Sequence, residues 1–412
     1  MATRFVYHQR VKNSIWPTLF KVLGRTMFDA PNVIPTKERI DEFEKYFMHG
    51  DALADKAAQE LFMSDRKHLQ SFRLMNKVLE QGIDEEDDVP DSFKQLIQEA
   101  NTAPVWLDRN KVEHGAAICR RLGSHAMAVL GDLALLGGYA NTDISKPLVF
   151  TGALKGESTF DRISETSQFW FDVTRKGALE KGAKGFKSAI RVRMMHAMVR
   201  QRLLQHPKWN SELWGLPINE ADSLATNVGF SMAMIYGCKW LGFYLPNKDI
   251  EAVLHLWRYI GYLMGDDADW LPKTTEEGLQ CLLLIHLSNE NNPDEESKTL
   301  AKDYLNSFKP KSDVKNWKQY INDYYFFMKH KAYAELLIPF DLYKKLELPS
   351  SNLTWMLVPL VEFPSIFIKD RLRAFIPALH KQIEQEGAKA QEEVISTRMG
   401  ERQASYIPKE NH

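Results

Sequence analysis

Residues 191–200 read Arg-Val-Arg-Met-Met-His-Ala-Met-Val-Arg. Arg193, His196 and Arg200 stand at i−3, i and i+4, so on a helix of 3.6 residues per turn they share one face. A neutral imidazole is the commonest protein ligand for a transition metal, and guanidinium is the preferred partner of a planar carboxylate. One axial nitrogen between two cations is what a haem asks of a protein: a ligand for iron and clamps for the propionates. The same residues equally describe a solvated basic helix face with an ordinary histidine, and this segment alone leaves both readings open. The chain contains no C-x-x-C-H, which excludes covalent attachment of the c type.

Upstream, Ser158 to Trp170 reads Ser-Thr-Phe-Asp-Arg-Ile-Ser-Glu-Thr-Ser-Gln-Phe-Trp. Arg162 and Thr166 are four residues apart and fall on one helix face. Downstream, Trp214-Gly-Leu-Pro-Ile-Asn-Glu-Ala-Asp-Ser leads into a second helical pattern, and Leu241-Gly-Phe-Tyr-Leu-Pro-Asn-Lys-Asp-Ile into a third. Over roughly residues 100 to 290 this order resembles the family of latex-clearing rubber oxygenases and MpaB-type oxygenases of the endoplasmic reticulum. The resemblance implies an all-α fold with a globin-like core and additional N- and C-terminal helices. It implies a non-covalent haem b with His196 as proximal iron ligand, flanked by Arg193 and Arg200. Arg162 and Thr166 would then lie on the distal, oxygen-binding side. The implied reaction is oxidative cleavage of a carbon–carbon double bond in an isoprenoid by dioxygen. A guanidinium at Arg162 would stabilise negatively polarised oxygen species by charge-assisted hydrogen bonding, and Thr166 would orient a proton or water.

One position departs from the family. Rubber oxygenases can carry a lysine just before the distal threonine, able to close the sixth iron position, and this chain has Glu165 there. A carboxylate cannot replace an amine ligand, so an open sixth position is expected. Glu165 is then either a distal base or, as is usual for Glu on a polar helix turn, turned to solvent.

The remaining sequence bounds this reading. Apolar residues make up 44% and charged residues 26% of 412 positions, as in a globular protein of one large or two ordinary domains. With 53 basic against 54 acidic side chains there is no global field to attract nucleic acid. Cys119, Cys238 and Cys281 are far apart and odd in number. They suit a reducing compartment better than a disulfide framework. The N-terminus lacks the apolar stretch of a signal peptide. Read as the native start, it implies a cytoplasmic protein kept from polymeric rubber, with a small apolar substrate instead. Leu353 to Ile368 is interrupted by Pro359, Glu362, Pro364 and Ser365, which predicts a packed amphipathic segment rather than a membrane span.

Apolar positions recur at three and four spacing, as in Leu254, Trp257, Ile260 and Leu263, and strand signals are scarce. The chain divides into an N-terminal helical cap (1–100), a haem-binding core (101–290), C-terminal helices (291–386) and a fraying tail (387–412). Pro31, Pro35 and Pro90 break the cap. Residues 290–315 read as a charged connection, and Val112 to Leu136 as one long helix whose Gly- and Ala-rich half admits close neighbours. His114 and His125 on that helix read as structural. The basic stretch ending at Lys187 reads as a solvated linker, the alternative being a peripheral contact with an anionic membrane surface. Two other functions compete. One is haem binding or sensing without oxygenase turnover. The other is a terpenoid-synthase-like site, since Asp266, Asp267 and Asp269 resemble half of such a magnesium site. The second ligand run is missing, because Asn322-Asp323 is followed by Phe326 and His330 where Ser and Glu are required. The acidic run therefore reads most simply as a hydrated helix end.

Overall fold

The computed structural model describes residues 11, 14–63, 68–84, 88–151, 157–288, 292–310, 316–350 and 353–399. For residues 68, 157–162, 353–356, 398 and 399 only the backbone is described. Helices fill this structure, and no strand occurs among the described residues. Five make the N-terminal part: α1 (Trp16–Met27), α2 (Lys37–Tyr46), α3 (Ala52–Phe62), α4 (His68–Gln81) and α5 (Asp91–Asn101). Their starts are written locally. Thr36 and Asp51 each accept a backbone N–H three residues on, which satisfies donors that a helix start leaves unpaired.

This part packs into the body of the protein. Leu61, Phe72 and Met75 are buried in the same core as the central helices. Alanines 54, 57 and 58 of α3 are wholly buried and let it lie close against the central helix α11 (Lys184–Leu204). Beside α11 lie α10 (Glu157–Thr174) and α15 (Asn247–Leu263), and α6 (Arg109–Arg121) packs on α15 and α10 in turn.

The long helix expected from Val112 to Leu136 is divided. It stops at Arg121, and Gly123 takes φ +59 before α7 (Gly123–Val129) resumes. The cause lies far away in sequence. The last helix, α21 (Pro377–Met399), passes so close that a Cβ on Gly123 would stand 3.2 Å from Gly387. A left-handed turn at Gly123 lets the two backbones meet. The same crossing corrects the expected tail, because α21 continues through Gly387 to Met399 with Gln391 fully buried. Residues 400–412 lie outside the described residues.

Beyond α7 the chain widens into a π-helical turn, Leu130–Leu135, followed by the short α8 (Leu136–Gly138) and α9 (Thr142–Phe150). After the short α12 (Ser211–Trp214), a second π-helical turn, Gly229–Ala233, separates α13 (Glu220–Val228) from α14 (Met234–Trp240), and the two π turns pack on each other. Such turns shift the face that a helix presents and are frequent at functional sites. Asn219 caps α13 through its side chain, which accepts from Asp222 N–H.

The supposed connection at 290–315 also contains a helix, α17 (Glu295–Asn306), capped by Asp294 and burying Leu300, Tyr304 and Leu305. With α18 (Trp317–Leu337) and α19 (Phe340–Lys345) it forms a second apolar cluster around Leu136 and Tyr139. Buried Asp132 joins the two clusters, accepting from Tyr304 Oη at 2.9 Å and lying 2.8 Å from His330 Nδ1. The helices α16 (Thr275–Leu287) and α20 (Leu353–Leu372) complete the chain. No helix among the described residues is long and apolar enough to cross a membrane.

Candidate functional site

The π turns, α1, α9, α10, α11, α13 and α16 enclose a cavity of about 1290 Å³. Small-molecule sites commonly occupy roughly 300–1,000 Å³, so this one has room for more than a single drug-sized ligand. Its wall is mainly apolar, with Phe20, Leu133, Phe169, Val192, Met195 and Phe230 among the contributors. Five of its lining residues are also exposed to solvent, Leu19, Val22, Thr26, Thr226 and Trp240, and they mark its mouth.

His196 lies on the wall from α11, and Thr166 and Glu165 lie on it from α10. Residues that the family resemblance assigns to opposite sides of a cofactor thus border one space. Arg162 belongs to α10 by its backbone, and its side chain lies outside the described residues. Glu165 is half-buried at the cavity wall. Neighbours on a helix diverge by about 100°, and a cavity this broad wraps far enough around α10 to meet both.

Arg193 and Arg200 occupy the face of α11 that carries His196, and all three border a small slot of about 10 Å³. Both guanidiniums are engaged by the protein itself. Arg193 meets Asp51 twice, Nε–Oδ2 at 2.6 Å and Nη2–Oδ1 at 3.2 Å, and reaches Glu99 Oε1 at 2.9 Å. Burial works against its charge, and Asp51 with Glu99 more than restores it, so its pKa rises. Arg200 donates to Asp55 Oδ1 at 2.8 Å and to the carbonyl of Ile218 at 2.6 Å. Where the sequence suggests clamps for a ligand's carboxylates, the structure thus shows carboxylates of α3, its cap and α5 in that role. These pairs tie the N-terminal helices to the histidine-bearing helix. Gly265 completes the arrangement at φ +88, since a Cβ there would come within 2.0 Å of Asp51 Oδ2 and 2.6 Å of Arg193 Nε.

The acidic run after α15 splits in three directions. Asp266 turns inward and borders both the cavity and the slot. Asp267 accepts from Tyr46 Oη at 2.6 Å, and exposed Asp269 pairs with Arg258 and Lys273. No group of three or more metal-ligating side chains gathers among the described residues. The run is therefore neither a converging magnesium site nor wholly a hydrated helix end. Burial raises the pKa of Asp266 and of its neighbour Glu220 well above the usual carboxylate range.

Three contributors have no sequence motif to announce them. His286 of α16 lies on the wall, its ring 4.3 Å from that of Trp16, and burial lowers its pKa to about 4. Asn227 also lines the cavity and holds α15 through the carbonyl of Trp257 at 2.8 Å. Trp257 itself lines the cavity, and its buried indole N–H has no hydrogen-bond partner among the described residues. The histidines expected to be structural are placed as such. His114 lies 3.1 Å from Asp249, and His125 packs on Phe243 beside Glu362.

Fold and site together define an all-helical domain built around one large apolar cavity, with an imidazole on its wall. The chain belongs to the ER-bound oxygenase mpaB/B'/rubber oxygenase family, whose catalytic domain matches residues 120–361, more than half of the sequence. The rubber oxygenase of Streptomyces sp. (strain K30) is 26% identical to it over 189 residues. That match takes in 45% of this chain and 46% of the relative, so the chain spans about half the length of the relative it matches. A solved structure of latex clearing protein LCP in the closed state is similar at 18% identity with a TM-score of 0.64. It covers 83% of this chain and 91% of its own. The similarity shows a shared helical fold.

Proposed function

We propose that the protein is a haem b-dependent oxygenase that cleaves the double bond of an apolar olefin, an isoprenoid or lipid small enough to enter the cavity. The observation that carries this reading is the joint placement of His196 and Thr166 on one large, apolar wall. A haem needs only one protein ligand on its proximal side, since the macrocycle supplies four nitrogens. The His196 imidazole, on a largely apolar wall that also carries His286, fits that need, whereas a metal held by protein alone needs several converging ligands. The unpartnered Trp257 N–H is a further donor available to a bound group.

In this reading His196 holds the cofactor from α11, and Arg193 and Arg200 act indirectly, by fixing α11 against Asp51, Glu99 and Asp55. When bound, the haem supplies the site at which dioxygen is activated. Arg162 and Thr166 would act toward dioxygen, the guanidinium stabilising negative charge as it develops and the hydroxyl orienting a proton. Glu165, standing where relatives can carry a lysine, would supply no amine ligand. The apolar wall excludes water and aligns the olefin. The overall change consumes one dioxygen per double bond and ends with one oxygen in each new carbonyl, so no external reductant is drawn on.

The test supplies haem-loaded protein with a long-chain isoprenoid under ¹⁸O₂ and analyses the products by mass spectrometry. One labelled oxygen in each of two carbonyl fragments is expected, with turnover lost in Arg162→Ala. A haem-loaded protein that consumes no dioxygen and leaves the olefins intact would instead be a haem-binding protein without turnover.

A further inference from the structure

The outer face of α20 is unusually apolar. Leu360 is 62% exposed, Val361 75% and Ile368 56%, and Phe375 just beyond the helix is 84% exposed. Scattered exposed apolar residues need no explanation, but a continuous patch marks a binding surface. The neighbouring helix α18, which packs beside α20, also exposes Trp317, Tyr320 and Ile321. It also reaches the mouth of the cavity. A Cβ on Gly242, two residues after Trp240, would stand 3.0 Å from the ring of Phe363 on α20. Arg371 donates to the carbonyl of Gly242 at 3.1 Å, and Tyr244 N–H to Asp370 at 2.6 Å. On the other lip, α1 exposes Leu19 and Val22.

Charge sorts the candidate partners. Neither α18 nor α20 has a fully exposed carboxylate. Glu362 is drawn to Lys329 and Tyr333, and Asp370 is buried under Arg121 and Arg373. What these helices do expose is Lys318 and Lys369, and α1 adds Lys21 and Arg25 with no acidic residue at all. A twofold contact with a second copy would set this cationic patch against itself, with only the half-buried Asp323 and Glu335 of α18 to answer it. An anionic lipid surface answers it directly. Apolar side chains enter the acyl boundary, tryptophan and tyrosine sit at headgroup level, and lysine and arginine meet the lipid phosphates. The buried pairs of Asp370 hold α20 to the protein body, so the helix lies along a membrane and does not cross it.

We propose that the face formed by α18, α20 and α1 docks on an anionic bilayer, with the cavity mouth turned toward the lipid. An apolar ligand would then pass from bilayer to cavity without crossing water. The docking stands on this surface alone and does not depend on the cofactor reading.

The experiment is flotation of the full chain with vesicles of phosphatidylcholine, alone or mixed with phosphatidylserine. The comparison is a Val361→Glu/Phe375→Glu double variant, two positions exposed enough to leave the fold intact, checked by circular dichroism. Binding to the mixed vesicles is expected, weakened by salt, and reduced at least about tenfold in the variant. No binding to the mixed vesicles, or equal binding by both proteins, overturns the proposal. A dimer in analytical ultracentrifugation that the double variant converts to monomer, without vesicle binding, assigns the face to a second copy and overturns it too.

Discussion

Replacing Asp51 separates two roles that one carboxylate plays beside His196. Its Oδ1 caps α3 by accepting from Ala54 N–H at 3.0 Å, and both oxygens meet Arg193. Arg193 is only 3% exposed, and stranding a buried guanidinium costs about 3–5 kcal/mol. Glu99 stays in contact but is itself 43% exposed, so it compensates little. Asp51→Asn keeps a competent cap and loses the charge, and is expected to cost about 3 kcal/mol. Asp51→Ala loses the cap as well and should cost about 1 kcal/mol more. Urea unfolding reads both, as midpoints shifted at unchanged slope. In an Arg193→Met background the Asp51→Asn cost should fall below about 1 kcal/mol, because the stranded charge is gone. If Asp51→Asn costs less than about 1 kcal/mol with Arg193 present, or the same amount in both backgrounds, the pair does not brace α11 as argued.

Gly265→Ala drives a methyl group into the Asp51–Arg193 pair from a left-handed backbone; a loss of at least about 3 kcal/mol is expected in the same unfolding assay. His286 is neutral in the fold, its pKa lowered to about 4 by burial. Between pH 6.5 and 4 the unfolded chain therefore binds a proton that the native state refuses. Stability should fall across that window by up to about 3 kcal/mol, and His286→Phe should flatten the decline. Asp266 and Glu220 act in the opposite sense, since burial raises both. Their protonated forms favour the fold, and stability is lost as pH rises above the ordinary carboxylate range. Asp266→Asn should thus gain in melting temperature relative to the parent at pH 8 and gain nothing at pH 4.

The helical nature of the chain and its central helix are legible in the sequence because both rest on local periodicity. Arg193, His196 and Arg200 do share a face, as 3.6 residues per turn requires. What their guanidiniums touch is not local. Asp51 lies 142 residues from Arg193 in sequence and Asp55 lies 145 from Arg200, and neither stands in a pattern that marks it as their partner. Gly123 reads as one more small residue in a helix until the backbone at Gly387 explains its break. The helix at Glu295–Asn306 was hidden by charge at its start, although Asp294 with Ser297 three residues later is an ordinary helix start. His286 and Trp257 look like core residues of apolar helices. Only the cavity distinguishes them from the rest.

The central claim is that His196 binds the iron of a non-covalent haem. It is tested most directly by titrating haem into the purified chain and into His196→Ala while recording the Soret band. The parent is expected to bind one haem per chain and, in the ferric state, to take up imidazole or cyanide readily at an open sixth position. His196→Ala should lose the band or most of its occupancy while remaining helical by circular dichroism. A variant that retains full haem with an unchanged spectrum, or a parent that binds none, would contradict the assignment.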